Sequence, residues 1–164
     1  VKGAAAAGTS TYFSVKPTQL GLGVSTELAF ELANDLATTL DEVGGELCLD
    51  IENLPYIDRT LELYERLRRA GHHHVSTVLQ SYLHRTPEDL ARVIALAGEI
   101  DQGPTEIRIV KGAYREAPEV AYQDRTRIEE AYRELCYRAL EAGLKLNIAT
   151  HDEALLRELE LSFI

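Results

Sequence analysis

Five times along the chain a short apolar run gives way to a segment with helical spacing. The runs are residues 11–16 (TYFSVK), 46–51 (ELCLDI), 75–80 (VSTVLQ), 106–110 (EIRIV) and 145–150 (KLNIAT). Their apolar content and length fit strands buried in a parallel sheet. Between them, residues 25–42 place Leu28, Phe30, Leu32, Leu36 and Leu40 along one predicted helix. Ile57, Leu61, Tyr64 and Leu67 mark a second that stops at Gly71. A third opens with Thr86 as N-cap and Pro87 at its first position, a fourth ends at Gly143, and a fifth starts at Asp152. Strand starts recur every 30 to 40 residues, the period of βαβ units.

Two architectures share this pattern: an open doubly wound sheet, and part of a (β/α)8 barrel, whose eight units take about 250 residues. The strand ends discriminate between them. At or just beyond the carboxyl end of each run stand Lys16, Asp50, Gln80, Arg108 to Lys111, and Thr150 with His151. A barrel gathers its chemistry from many strand ends around one mouth, whereas a doubly wound sheet concentrates it at a switch point. Gly21 and Gly23 lack the third glycine of a dinucleotide fingerprint, so QLGLGVS is a weak phosphate loop. The fold expected is therefore α/β, a distorted TIM-type (β/α)8 barrel of which about five units are present, forming one partial domain over residues 1–164.

Composition narrows the function classes. At 164 residues and 45% hydrophobic the chain can bury a sizeable core. A net charge of −10 argues against nucleic acid, which needs a basic face. No apolar run approaches the roughly 18 residues of a membrane span, and VKGAAAAGTS lacks the apolar core of a signal peptide. The expected location is the cytoplasm. Cys48 and Cys136 lie in apolar runs and read as small core residues. The triplet His72–His73–His74 reads as a solvated loop, since adjacent side chains point in different directions, and no metal site is expected.

Arg108 stands out because a buried arginine is costly unless it is paired or meets a ligand. Lys16, Asp50 and Arg108 can all point into one barrel mouth. The residues leave two readings open: an interior ion network holding strands in register, or a site for an anionic, electron-accepting ring.

Five stretches together, SVKPTQLG (14–21), LDIEN (49–53), VLQSYLHRT (78–86), IRIVKGAYREAPEVAYQD (107–124) and ATHDEALL (149–156), resemble successive motifs of the proline dehydrogenase family, above all its short monofunctional bacterial form. The resemblance runs from about Thr11 to Leu156. It implies an FAD enzyme that oxidises L-proline to Δ1-pyrroline-5-carboxylate by hydride transfer to the flavin N5. The partners it implies are a quinone acceptor at the membrane surface, with the protein peripheral to the inner membrane, and pyrroline-5-carboxylate dehydrogenase.

The same resemblance assigns roles. Lys16 and Tyr114 line the substrate cavity, Asp50 lies beside the substrate, and Arg108 faces the flavin N5. Ile51 and Gln80 contact the ring system. Lys111, Gly112 and Ala113 wrap the phosphate and ribitol region, Lys111 bringing charge and Gly112 allowing close backbone approach. Thr150 and His151 also hold FAD. Three features depart from the family pattern. Its late strands and final helix, with a paired-arginine carboxylate clamp, have no match here; Arg68-Arg69 fall in the helix after the second strand, and ELELSFI matches nothing. Pro17 stands where the family more often has an aliphatic residue. The alternatives are a non-catalytic flavin-barrel fragment that needs a further segment or partner, and a flavin-free barrel using the same pocket for an anionic metabolite.

Overall fold

The computed structural model describes residues 1–8, 11–100 and 103–161. After a short helix α1 (Lys2–Ala6), five βα units follow: β1 (Tyr12–Val15), a 3-10 turn (Pro17–Leu20) and α2 (Thr26–Asp41); β2 (Glu46–Leu49) and α3 (Leu54–Arg69); β3 (Val75–Gln80) and α4 (Thr86–Glu99); β4 (Glu106–Val110) and α5 (Arg125–Glu141); β5 (Lys145–Ile148) and α6 (Glu153–Leu161). The tail residues 162–164 lie outside the described residues.

Each strand pairs in parallel with the next, in the order β1-β2-β3-β4-β5. That order has no reversal point, which excludes the doubly wound alternative and gives consecutive units of a (β/α)8-type barrel. The sheet also curves strongly. In a flat sheet β1 and β4 would lie about 14 Å apart, more than a serine and an arginine side chain together span. Yet Arg108 on β4 donates to Ser14 Oγ on β1 at 3.3 Å.

Alternation along the strands separates two layers. Leu47, Leu49, Ile107 and Ile109 are fully buried against the helices. Tyr12, Ser14, Asp50 and Arg108 face the concave side, as the hydrogen bonds among them show. Cys48 and Cys136 are buried free thiols, and burial pushes Cys136 up to about 12, so it is an inert core residue.

Three local expectations are corrected. Of the predicted α2 row only Leu40 is fully buried; the rest of the buried face is Ala29, Ala33 and Ala37, while Leu28 and Leu32 keep 38% and 43% exposure. Small side chains at i, i+4 spacing seat the helix close to its neighbours, and this stripe is invisible to a search for large apolar residues. The N-cap of α4 is Arg85, not Thr86; the Thr86 hydroxyl donates instead to the Gln80 carbonyl, fastening the helix start to the end of β3. The histidine triplet is not a solvated loop. Only His73 is exposed, and His72 and His74 are turned inward against Asp41.

Chemical denaturation tests the α2 packing. Ala33→Leu overfills a closed contact and is expected to cost about 1–3 kcal/mol, whereas Leu32→Ala stays within roughly 0.5 kcal/mol. Equal effects would place the buried face elsewhere.

Candidate functional site

The carboxyl ends of the strands open into one cavity of about 420 Å³. Its walls include Ile51, Val78, Val110 and Ala149, and its polar groups come from Lys16, Asp50, Gln80, Arg108, Lys111 and Thr150. Gly112, Ala113 and Tyr114 complete the lining. Of the sequence-predicted site residues only His151 falls outside this wall, exposed just beyond β5.

Arg108 organises the centre. Its Nη1 donates to Asp50 Oδ1 at 3.1 Å and to Ser14 Oγ at 3.3 Å, and its Nη2 donates to the Tyr12 hydroxyl at 2.7 Å. Ser14 in turn donates to Asp50 Oδ1 at 2.6 Å. Burial pushes the Tyr12 phenol up to about 12, so it accepts from Arg108 as a neutral group. Asp50 is the carboxylate that balances the guanidinium, and both retain solvent contact at 30% and 22% side-chain exposure. Arg108 is thus half of an interior ion pair, and that pair stands in the cavity wall. Among the described residues, Lys16 forms no ion pair. Its ammonium is thus a cation of the cavity not already balanced by a neighbour.

Gln80 is 2% exposed, and its amide nitrogen donates to the Glu52 carbonyl at 3.0 Å. This fixes the carboxamide and leaves Oε1 able to accept. Glu52 itself receives the Thr18 backbone N–H at 2.9 Å and the Thr18 hydroxyl at 2.8 Å. It thereby ties the turn after Lys16 to the end of β2.

The connection from β4 to α5 forms one side of the mouth. Its backbone is anchored by Tyr82 N–H to the Lys111 carbonyl at 2.9 Å and Tyr122 N–H to the Tyr82 carbonyl at 2.7 Å. Glu116 from the same connection accepts the Leu54 N–H at 2.8 Å, at the start of α3. Gly112 has φ 124°, and a Cβ there would lie 2.2 Å from the Tyr82 ring. The glycine is thus required by Tyr82 and by its own backbone angle, before any ligand is considered.

The charge on Lys111 is already engaged. Its Nζ lies 2.9 Å from Glu129 and 3.0 Å from Asp152, and Arg125 joins the same two carboxylates. A phosphate at this position would compete with both carboxylates. Asp152 also accepts the Leu155 N–H at 3.2 Å and so caps α6. Sequence reasoning missed Tyr12, Ser14, Glu52, Glu116, Glu129 and the pairing of Asp152 with Lys111. The alternation Tyr12-Phe13-Ser14-Val15 carried a signal for the first two, since period 2 sends Tyr12 and Ser14 to one face. The others act across separations of 18 to 62 residues and left no local trace.

Arg68 and Arg69 lie far from this mouth. Arg68 is fully buried and donates to the His73 carbonyl and, at 3.1 Å, to Thr105 Oγ1, while Arg69 pairs with Glu99 at 2.6 Å.

The family model "Proline dehydrogenase" matches residues 3–158. The chain belongs to the proline dehydrogenase family. A proline dehydrogenase of Deinococcus radiodurans is 37% identical over 164 residues, covering 98% of this chain and 51% of the relative. Proline dehydrogenase 2 of Bacillus subtilis is 31% identical over 147 residues, covering 90% and 46%. The chain thus spans about half the length of the curated relatives it matches. Among solved structures, proline utilization A (PutA) from Bdellovibrio bacteriovorus, in a form inactivated by N-propargylglycine, superposes with a TM-score of 0.76 at 23% identity. The match covers 87% of this chain and 17% of that one. A Bradyrhizobium japonicum PutA mutant gives 0.78 at 17% identity, over 88% and 17%. These likenesses bear out the barrel-type fold of this family member.

The Lys111 cluster has a pH signature. The hydrogen bond from Lys111, then that from the Leu155 N–H, holds the Asp152 carboxyl well below the usual carboxylate range. Arg125, then Lys111, lowers Glu129. A carboxyl with a depressed folded-state pKa stabilises fully above its unfolded pKa of about 4, and loses that contribution as pH falls through the folded value. Asp152→Asn is therefore expected to lower Tm at neutral pH, with the gap to the parent closing in increasingly acid buffer below about pH 4. A gap that stays constant with pH would assign Asp152 a purely geometric role.

Proposed function

We propose that the protein carrying this chain oxidises L-proline to Δ1-pyrroline-5-carboxylate with FAD. The observation that carries the reading is Arg108, a cation held rigidly by Asp50, Ser14 and Tyr12 in the wall of a cavity with apolar sides. The residues present fit a flavin. Aliphatic side chains from Ile51, Val78, Val110 and Ala149 suit the faces of a flat ring, and Arg108, Lys16 and Gln80 offer polar groups at its edge. Gly112 and Ala113 offer exposed backbone beside them, with Thr150 across the mouth.

FAD, when bound, supplies an electron-accepting ring whose N5 takes up the hydride. Arg108 stabilises the negative charge that develops at the ring, and because its position is fixed beforehand it does so without reorganising. Asp50 and Ser14 hold the guanidinium in place, and Asp50 keeps the site near neutral before charge develops. Lys16, without an ion-pair partner among the described residues, attracts the substrate carboxylate. Tyr114 bounds the substrate space, and proline binds with its amine neutral, its lone pair assisting loss of hydride from the adjacent ring carbon. The backbone from Lys111 to Ala113 supports the cofactor, with Thr150 and His151 at the neighbouring strand end. The paired-arginine clamp implied by the family has no counterpart in the cavity among the described residues, and Lys16 is the cation there without an ion-pair partner.

In this reading electrons pass to a membrane quinone and the product passes to a pyrroline-5-carboxylate dehydrogenase, with the protein cytoplasmic and peripheral to the inner membrane. No helix among the described residues is long and apolar enough to cross a membrane.

Anaerobic mixing of the flavin-loaded protein with proline tests the role of Arg108. Arg108→Met keeps length and loses charge, and is expected to slow flavin bleaching about 10²- to 10³-fold while the folded state persists. Equal bleaching rates in variant and parent would remove Arg108 from the mechanism. N-propargylglycine, named for the Bdellovibrio protein, is expected to inactivate the parent in a flavin-dependent manner, and a parent indifferent to it would count against shared chemistry.

A further inference from the structure

The opposite end of the strands carries a second constellation. Asp41 is the last residue of α2, and His72 and His74 lie in the turn between α3 and β3. The two histidine side chains keep only 11% and 9% exposure, while Asp41 keeps 41%. The carboxylate is shared between them: Oδ2 lies 3.1 Å from His72 Nδ1, and Oδ1 lies 2.8 Å from His74 Nδ1. One ligand-capable atom from each residue falls within 4.8 Å of the others.

The far nitrogens of the two rings decide which way the lone pairs face. His74 Nε2 lies 3.1 Å from the Ala37 carbonyl, which only accepts, so Nε2 carries a proton. His72 Nε2 lies 3.0 Å from Asn34 Oδ1, with the same consequence. Each Nδ1 therefore faces the Asp41 carboxylate, that of His72 at hydrogen-bond distance from Oδ2. For His74 the contact is not a hydrogen bond: Nδ1 is buried and has no hydrogen-bond partner despite an oxygen at 2.8 Å. At His74 a ring nitrogen and an anionic oxygen 2.8 Å apart, without hydrogen-bond geometry, repel unless a cation lies between them. The surroundings favour a cation as well, because the negative end of the α2 dipole falls here and the last turn of α2 has no basic residue.

We propose that Asp41, His72 and His74 form a binding site for one divalent transition-metal ion of the zinc class, through the carboxylate and the two Nδ1 atoms. Imidazole nitrogens select such ions over magnesium or calcium. Two nitrogens and one carboxylate leave a fourth tetrahedral position for water. Around a zinc ion with bonds of about 2.0–2.1 Å, neighbouring ligand atoms stand about 3.3 Å apart; the two nitrogen–oxygen separations of 3.1 and 2.8 Å are slightly shorter, and all three ligand atoms fall within 4.8 Å. The Nε2–H contacts to Ala37 and Asn34 are the outer hydrogen bonds that orient metal-binding histidines. Lying at the other end of β3 from Gln80, the ion would clamp α2 to the α3–β3 turn and take no part in the chemistry at the mouth.

The test uses tag-free protein stripped with a chelator, titrated with Zn2+ by calorimetry and with Co2+ by optical absorption. One equivalent of Zn2+ per chain is expected, with a Co2+ ligand-field band that Zn2+ abolishes and Mg2+ does not. His74→Gln and Asp41→Asn are each expected to weaken Zn2+ binding at least about 10- to 100-fold, and His73→Gln, altering the exposed neighbour, leaves it unchanged. Circular dichroism on each variant confirms folding, and the parent titration stands alone if a variant fails to fold. The proposal is overturned by a parent that shows no saturable binding near one equivalent. It is equally overturned if binding survives in a folded His72→Gln/His74→Gln double variant, or is lost to the same degree in His73→Gln.

Discussion

A guanidinium inside the concave face of a sheet is the constraint around which the mouth is arranged. Arg108 is tolerable there because Asp50 supplies the opposite charge and Ser14 and Tyr12 supply further acceptors. These partners come from β1 and from the residue just after β2, so they reach Arg108 only if the sheet bends. Solvation and curvature are therefore one problem with one solution. A flatter sheet would strand the charge, and a neutral residue at this position would remove a reason for Ser14 and Asp50 to share an oxygen contact at 2.6 Å.

Much of this was legible in the sequence, because the repeat of apolar run and helical segment is set by short-range periodicity. The five strands fall within a residue or two of their predicted limits, and polar strand ends converge as a barrel requires. What escaped was of two kinds. Small residues hide helix faces: nothing in Ala29, Ala33 and Ala37 announces burial until α2 is seen against its neighbours. Long-range polar contacts hide as well. Glu52 to Thr18 and Glu116 to Leu54 are carboxylates whose roles depend on loops meeting in space. The glycine after Lys111 was recognised as needed, but the reason lay 30 residues earlier in the Tyr82 ring.

The two ends of the strands differ in kind. At the carboxyl ends the polar groups are partly exposed and surround open volume. At the amino ends they are packed: Arg68 is fully buried on carbonyl and hydroxyl acceptors, and His72 and His74 are closed against Asp41. This division matches the general separation in such barrels between a reactive face and a stabilising one. It also accounts for the adjacent arginines of α3, which serve the stabilising end.

The strand order has a kinetic meaning. Because each strand pairs with the one made just before it, the scaffold can assemble through contacts of modest sequence separation, unit by unit as the chain emerges. The contacts of Arg108 are of another type, since they close loops of 94 and 96 residues to Ser14 and Tyr12. Such closures must follow the scaffold rather than guide it. The mouth is thus among the last parts of the chain to acquire its shape, and a nascent chain holding only the first three units lacks Arg108 and with it the polar cluster of the cavity.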